Sequence, residues 1–204
     1  GKCITDGIPT YTIDWYLDGL QHKMLGCMAN AKMSWDAKQI SYIELDVWGL
    51  YVAPTDTPLP TDADYSSFLA PVGVNKVNTP AWSIHGVSGI SFSSLSIDLG
   101  NQLVYVNEPG REEIDIRNRR VTGSITMEMT SVATKAWHEQ VRLNTLDAFA
   151  LTHGTVAGNI QDWTAPKVQL LAPSYPEVDG EARLGLNLLF TKNAGNDELQ
   201  FVLT

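Results

Sequence analysis

Two acidic residues on a predicted strand are the first candidates for catalytic chemistry. Glu44 and Asp46 are two residues apart in "ISYIELDVWGLY" (40–51), and residues at i and i+2 of a strand share one face. Such a carboxylate pair could act as general acid and general base in a hydrolysis. The solvated polar face of a half-buried strand explains the same pattern more simply, with Ile43, Leu45 and Val47 on the inner face. We therefore predict no catalytic residues and a protein that is not an enzyme.

Residues that could bind a metal are scattered along the chain. They are His22, His85, His138, His153, Cys3 and Cys27. None of these residues lies at the spacing of a metal site or of a disulfide framework. The chain also has no P-loop, no G-x-G-x-x-G and no G-x-S-x-G sequence. We expect no metal and no cofactor, and surface or capping roles for the histidines.

A dense group of charges follows the predicted strand "NQLVYV". Its members, which we call the charged cluster, are Arg111, Glu112, Glu113, Asp115, Arg117, Arg119 and Arg120. Positive and negative groups are nearly balanced, which argues against a phosphate site. Balanced charge on a connection between two strands favours a protein–protein contact whose register is fixed by salt bridges. We predict that all seven residues make intersubunit contacts.

Composition limits the classes of function. The 204 residues carry a net charge of −9, which disfavours a general nucleic-acid binder because such proteins need a basic surface. No run of 18 apolar residues occurs, so we expect no membrane contact. The six tryptophans fit either core packing or subunit contacts, and we assign Trp137 to the core.

Three segments differ in pattern. Residues 1–52 contain strand-like runs, residues 53–83 form a proline-rich linker, and residues 84–204 contain many alternating segments with one change to helical spacing. That change predicts a helix over 131–143, with Thr130 or Ser131 as N-cap. Alternation predicts two buried faces, one in "RVTGSITMEMT" with Val121, Ile125, Met127 and Met129 and one in "ARLGLNLLF" with Ala182, Leu184, Leu186, Leu188 and Phe190. A weak internal repeat with an offset of 141 residues aligns Leu184, Leu186 and Leu188 with Ile43, Leu45 and Val47. We interpret 1–52 as a partial copy whose opening strands would precede Gly1.

The order of motifs over 84–204 resembles that of phage tail tube proteins. The segments that carry the resemblance are "FSSLSIDLGNQLVYV", "RRVTGSITMEM", "LTHGTVAGNIQDWTAPKVQL", "PSYPEVDGEARLGLNLLF" and "GNDELQFVLT". The resemblance implies a mainly β fold that is shared with type VI secretion tube proteins. This fold is an antiparallel β-barrel or sandwich with one flanking α-helix, here preceded by a smaller, incomplete β unit.

The same resemblance implies a structural role in a virion tail that is assembled in the bacterial host cytoplasm. The partners would be other copies of the chain, in hexameric rings or pseudo-hexameric trimeric rings that stack, and other tail proteins. DNA would pass through the lumen without specific binding, since carboxylates repel phosphates. The alternatives are a distal tail or baseplate-hub protein, a carbohydrate-binding β-sandwich that uses exposed tryptophans, and a hydrolase that uses Glu44 and Asp46.

Overall fold

The computed structural model describes residues 8–66 and 68–204, and most of these residues lie in β-strands. One short helix, α1 (Trp137–Arg142), is present in this part of the chain. The strands in chain order are β1 (Tyr11–Leu17), β2 (Leu20–Asp36), β3 (Tyr42–Tyr51), β4 (Thr55–Asp56), β5 (Ala81–Ile84), β6 (Val87–Ser88), β7 (Phe92–Asp98), β8 (Asn101–Glu108), β9 (Arg111–Arg119), β10 (Thr122–Met127), β11 (Leu146–His153), β12 (Gln161–Ser174), β13 (Glu177–Val178), β14 (Glu181–Ala182), β15 (Leu184–Phe190) and β16 (Gln200–Leu203).

The described residues pack as two units that are not continuous in sequence. Unit 1 comprises residues 8–31, 44–66 and 68 together with Leu99–Arg119, and unit 2 comprises Lys32–Ile43, Leu69–Asp98 and Arg120–Thr204. These units do not follow the predicted boundaries after residues 52 and 83. In residues 99–119, β8 pairs with β9 and not with β7, and Asn101 Nδ2 donates to the carbonyl oxygen of Ala29 in unit 1 at 3.0 Å. That 1–52 is a partial copy of the second domain stays a prediction.

Unit 2 is built on an antiparallel sheet with β10 and β15 at its centre. The sheet order is the end of β2 (32–36), then β7, β10, β15, β12, β11, β5 and β6, and β16 pairs with the start of β12. The predicted mainly antiparallel β fold with one helix is confirmed. Gly123 allows a close strand approach here, because a Cβ on it would lie 2.5 Å from the carbonyl oxygen of Ser96 on β7.

The core of unit 2 follows the alternation of these strands. Leu184, Leu186 and Leu188 are buried, as predicted, and Ile125 of β10 pairs with Leu186. Two residues that were assigned to the same apolar faces, Ala182 and Met129, are exposed instead because each lies outside the central strands.

The helix is shorter than predicted. Residues 132–134 form a turn, and α1 begins at Trp137 with no side-chain cap at Ala136. Ser131 Oγ does accept the N–H of Thr134 at 3.2 Å, so the predicted cap residue closes the preceding turn. Trp137 is buried, as predicted.

Unit 1 contains two antiparallel arrangements. In the first, β1 pairs with β2 through a two-residue turn at Asp18 and Gly19, and β3 and β4 also pair with β2. Both turn residues have positive φ, the geometry of the hairpin turn that Asp-Gly favours. The second is the β8–β9 hairpin, whose turn is Pro109–Gly110 with Gly110 at φ +88°.

Candidate interaction surface

The β1–β2 hairpin has one apolar face and one polar face. Cross-strand partners Trp15 and His22, and Leu17 and Leu20, lie on the apolar face, where the Trp15 and His22 rings stack at 5.0 Å. We define the hairpin apolar face as Ile13, Trp15, Leu17, Leu20, His22 and Met24. Trp15, Leu17 and Leu20 are exposed, and the other three residues are half-buried.

The polar side chains on the opposite face of the same hairpin pair with one another. Lys23 Nζ lies 3.4 Å from the carboxylate of Asp14, and Gln21 Nε2 donates to that carboxylate at 2.9 Å. Gln21 also donates to the hydroxyl oxygen of Tyr16. The hairpin therefore presents a polar side and an apolar side on which Trp15, Leu17 and Leu20 remain exposed.

Strand β3 also has an apolar side that is largely exposed. The sequence predicts that Ile43, Leu45 and Val47 form a buried inner face, but Ile43 and Leu45 are exposed and Val47 is only half-buried. The alternation itself is correct. The prediction of burial is wrong for Ile43 and Leu45, and it holds only in part for Val47.

Apolar burial is distributed unevenly between the units. Among the described residues of unit 1, three apolar residues are buried and twelve large apolar side chains are exposed. The buried ones are Cys27, Val106 and Ile114. Unit 2 buries twenty apolar residues, including Trp35 and Trp163, which pack edge to face at 5.3 Å. Apolar patches of this kind on a folded protein mark interaction surfaces.

The charged cluster lies on a strand and not on a loop. Six of its seven members belong to β9, which pairs with β8 along its whole length, and Arg120 follows the strand. The expected connection between strands is therefore the second strand of a hairpin. Residues 99 and 100 join β7 to β8, with Gly100 at φ +62°, but these two strands pair with different partners.

The cluster is largely paired within its own hairpin. The Asp115 carboxylate is buried and lies 3.2 Å from Arg117 Nε and 3.7 Å from Arg111 Nη2. Arg111 Nε also donates to Glu113 at 2.9 Å, and this hydrogen bond is the main reason why the pKa of Arg111 is raised. Tyr105 Oη donates to Glu112 at 2.6 Å, which raises the pKa of the tyrosine.

These pairings order the hairpin and leave a mixed-charge surface. Arg111, Glu112, Arg117 and Arg120 are exposed, Glu113 and Arg119 are half-buried, and Asp115 is buried. Asp115 is thus an internal partner of the arginines. The intersubunit role of the seven residues stays a prediction.

The other candidate residues show no common site. Glu44 and Asp46 are exposed on β3. Two histidines depart from the expected surface role, since His85 and His153 are both buried. His85 Nε2 lies 2.8 Å from the carbonyl oxygen of Val168, and His153 Nδ1 lies 3.0 Å from Thr79 Oγ1. Burial lowers the pKa of both imidazoles.

The described residues contain neither a metal-binding cluster nor a membrane-spanning helix. No group of three or more His, Cys, Asp and Glu side chains lies close enough to hold a metal ion within residues 8–66 and 68–204. In the same residues, no helix has the length and hydropathy needed to cross a membrane.

The residues of the hairpin apolar face were not among the predicted contacts. "TYTIDWYLDGLQHKM" (10–24) contained the evidence, because apolar side chains alternate on both sides of an Asp-Gly turn. The alternation could not show that Trp15, Leu17 and Leu20 would remain exposed in the folded chain.

A comparison with protein-family models gives a match over most of the chain. A model of the family described as phage tail tube protein matches residues 4–191. No curated protein sequence is similar to the chain.

Proposed function

Because the chain belongs to the phage tail tube protein family, it is a structural component of a phage tail, and we propose that it self-assembles into stacked rings that form a conduit for DNA. The observation that carries the proposal is the exposed hairpin apolar face. A subunit that is complete on its own would cover such a face, whereas an assembling subunit covers it with a neighbour. The rings have six subunits, or three if each subunit supplies two tube-like units.

The charges of the chain support passage of DNA without binding. Residues 39–75 contain five carboxylates and no Lys or Arg, and the whole chain carries −9. A negative surface repels phosphates, so the DNA is not held. Fluorescently labelled duplex DNA should show no change in anisotropy with the assembled protein at low salt, and saturable binding there would contradict the conduit.

The hairpin apolar face is tested by a charge placed on it. Leu17→Lys should remain folded, since Leu17 is 64% exposed, and should fail to form rings because a desolvated lysine is costly in an apolar contact. The matched control is Leu203→Lys in unit 2, where the side chain is also 64% exposed. Sedimentation velocity and negative-stain electron microscopy measure assembly, and circular dichroism measures folding.

The three proteins together test both self-assembly and the position of the contact. Rings of the parent and of Leu203→Lys, with monomeric Leu17→Lys, support the proposal. Rings of Leu17→Lys would contradict the placement of the contact, and a parent that stays monomeric at every concentration would contradict self-assembly.

We also propose that the charged cluster contacts a neighbouring subunit. Arg117 is unsuitable for the test because it neutralises the buried Asp115, whereas Arg120 is exposed and lies outside β9. Arg120→Glu should weaken ring formation at low salt, since a like-charge contact costs several kcal/mol at an interface. Lys192→Glu, an exposed residue of unit 2, is the control. Unchanged assembly of Arg120→Glu would make the cluster ordinary solvated surface.

A further inference from the structure

A pocket lies beside the start of α1 in unit 2. Its volume is about 330 Å³, and its walls include Met129, Val132, Trp137, Tyr175 and Leu184. Trp137 is held in place because its Nε1 donates to Thr130 Oγ1 at 2.8 Å. Val132 is 79% exposed at the pocket. The walls are mostly apolar, so they match an apolar group of the size of one or two side chains.

Two charged side chains line this pocket. They are Lys135 and Glu139, and the pocket is also lined by His138, whose Nε2 lies 2.5 Å from Tyr175 Oη. Glu139 accepts a hydrogen bond from Arg142 Nε at 2.8 Å, which lowers the pKa of the carboxyl group. The positive charge of the guanidinium balances the negative charge of this carboxylate. Lys135 Nζ donates to the carbonyl oxygen of His85 at 2.6 Å, and this neutral acceptor does not cancel the ammonium charge.

An exposed aromatic pair lies in the proline-rich segment of unit 1. Tyr65 is 73% exposed and Phe68 is 77% exposed, and their ring centroids are 6.0 Å apart. The N–H of Phe68 donates to the carbonyl oxygen of Tyr65 at 3.1 Å, so a turn presents both rings together. Asp64 Oδ1 accepts the N–H of Ser66 at 2.8 Å at the start of the same turn.

The surroundings of this pair are acidic and restrained. Asp62 and Asp64 precede the two rings, and no Lys or Arg occurs between residues 39 and 75. The hydrogen bond from the Ser66 backbone lowers the pKa of Asp64, which keeps its carboxylate charged. Pro58 and Pro60 limit the backbone before the turn, and such restraint reduces the entropy that binding must overcome.

We propose that the aromatic pair Tyr65–Phe68 of one copy docks into the pocket beside α1 of another copy. The aromatic rings supply the apolar anchor that a pocket of this kind accepts, and the carboxylates of Asp62 and Asp64 complement the charge of Lys135. The donor and acceptor surfaces differ, so the contact is head-to-tail and can be repeated from copy to copy. The inference rests on the proposed function, since it requires a second copy of this chain.

Cross-linking between two differently labelled chains tests the contact. Both chains carry Cys3→Ser and Cys27→Ser; one carries Ser66→Cys, which leaves both rings intact, and the other carries Val132→Cys. After mixing, a short bis-maleimide reagent and mass spectrometry measure the mixed dimer. The control replaces Val132→Cys by Val156→Cys, since Val156 is also strongly exposed in unit 2. We expect a yield at least fivefold above the control pair, which falls to the control yield when Phe68→Ser is added to the first chain.

Each result decides the matter. Equal yields from the Val132 and Val156 pairs, or a yield that Phe68→Ser does not lower, overturn the docking contact. Electron microscopy of the parent and of the Ser-substituted chains is run in parallel. Rings without the mixed cross-link overturn this contact and leave the proposed function standing, whereas absence of both rings and cross-link overturns both.

Discussion

Replacing one leucine of the central strand should destabilise unit 2 strongly. Leu186 is 2% exposed and lies between β10 and β12 on β15. Leu186→Ala removes three carbon groups at about 0.8 kcal/mol each, or about 2.4 kcal/mol, and the remaining cavity adds about 1 kcal/mol. We therefore expect the free energy of unfolding to fall by about 3–4 kcal/mol and the melting temperature by roughly 6–16 °C.

The chain contains a matched control in the aligned position of the weak repeat. Leu45 is on β3, 141 residues before Leu186, and its side chain is 59% exposed. Because less than half of its apolar surface is buried, Leu45→Ala should cost about 1 kcal/mol or less. Urea unfolding at a concentration where sedimentation shows monomers compares the two variants. Equal losses would refute the assignment of Leu186 to a packed core and of Leu45 to an uncovered face.

Three further results are expected. The imidazoles of His85 and His153 should titrate below the ordinary pKa of about 6.5 in NMR spectra, because burial lowers their pKa values. The stability that these neutral groups contribute is therefore present above about pH 6.5 and is lost as the pH falls towards their folded-state pKa values. Titration of both imidazoles at the ordinary pKa would contradict their burial. Arg117→Ala should cost about 1–2 kcal/mol by leaving the buried Asp115 with only the longer pair to Arg111, and Asp115→Asn should remove most of that loss in a double-mutant cycle. Gly123→Ala should cost about 1–3 kcal/mol in thermal unfolding, because its Cβ would meet a backbone oxygen at 2.5 Å, whereas an unchanged melting temperature would show that the strands can separate at this position.

The strands could be predicted because their evidence is local. Alternation alone identified Leu184, Leu186 and Leu188 as core residues, and all three are buried. The predicted helix was too long for the same reason. Ser131 is a residue type that caps helix starts, but here it closes a separate turn. A local pattern identifies the side chain that can cap, and tertiary packing decides what it caps.

The packing units could not be predicted because their evidence is not local. Residues 99–119 are adjacent in sequence to β7 and β10 of unit 2 but pack with unit 1. Whether the apolar side of Leu17 or Leu45 is covered likewise depends on chain segments far away, or on another molecule. The charged cluster was recognised by composition, but the burial of Asp115 depends on the hairpin geometry that pairs β8 with β9.

The strand order of unit 2 has a consequence for the rate at which the chain folds. Thr122 of β10 pairs with Leu189 of β15, and Phe149 of β11 pairs with Ile84 of β5, so these two ladders join segments about 65 residues apart. Such distant pairings require loop closure before they yield any stabilisation, and they place β proteins among the slow-folding domains, with times of milliseconds to seconds. During that interval the apolar strands that will form the core are as open as the hairpin apolar face. Newly made chains must then complete their ladders before they meet one another, and slow synthesis or low temperature during expression should favour soluble subunits over aggregates.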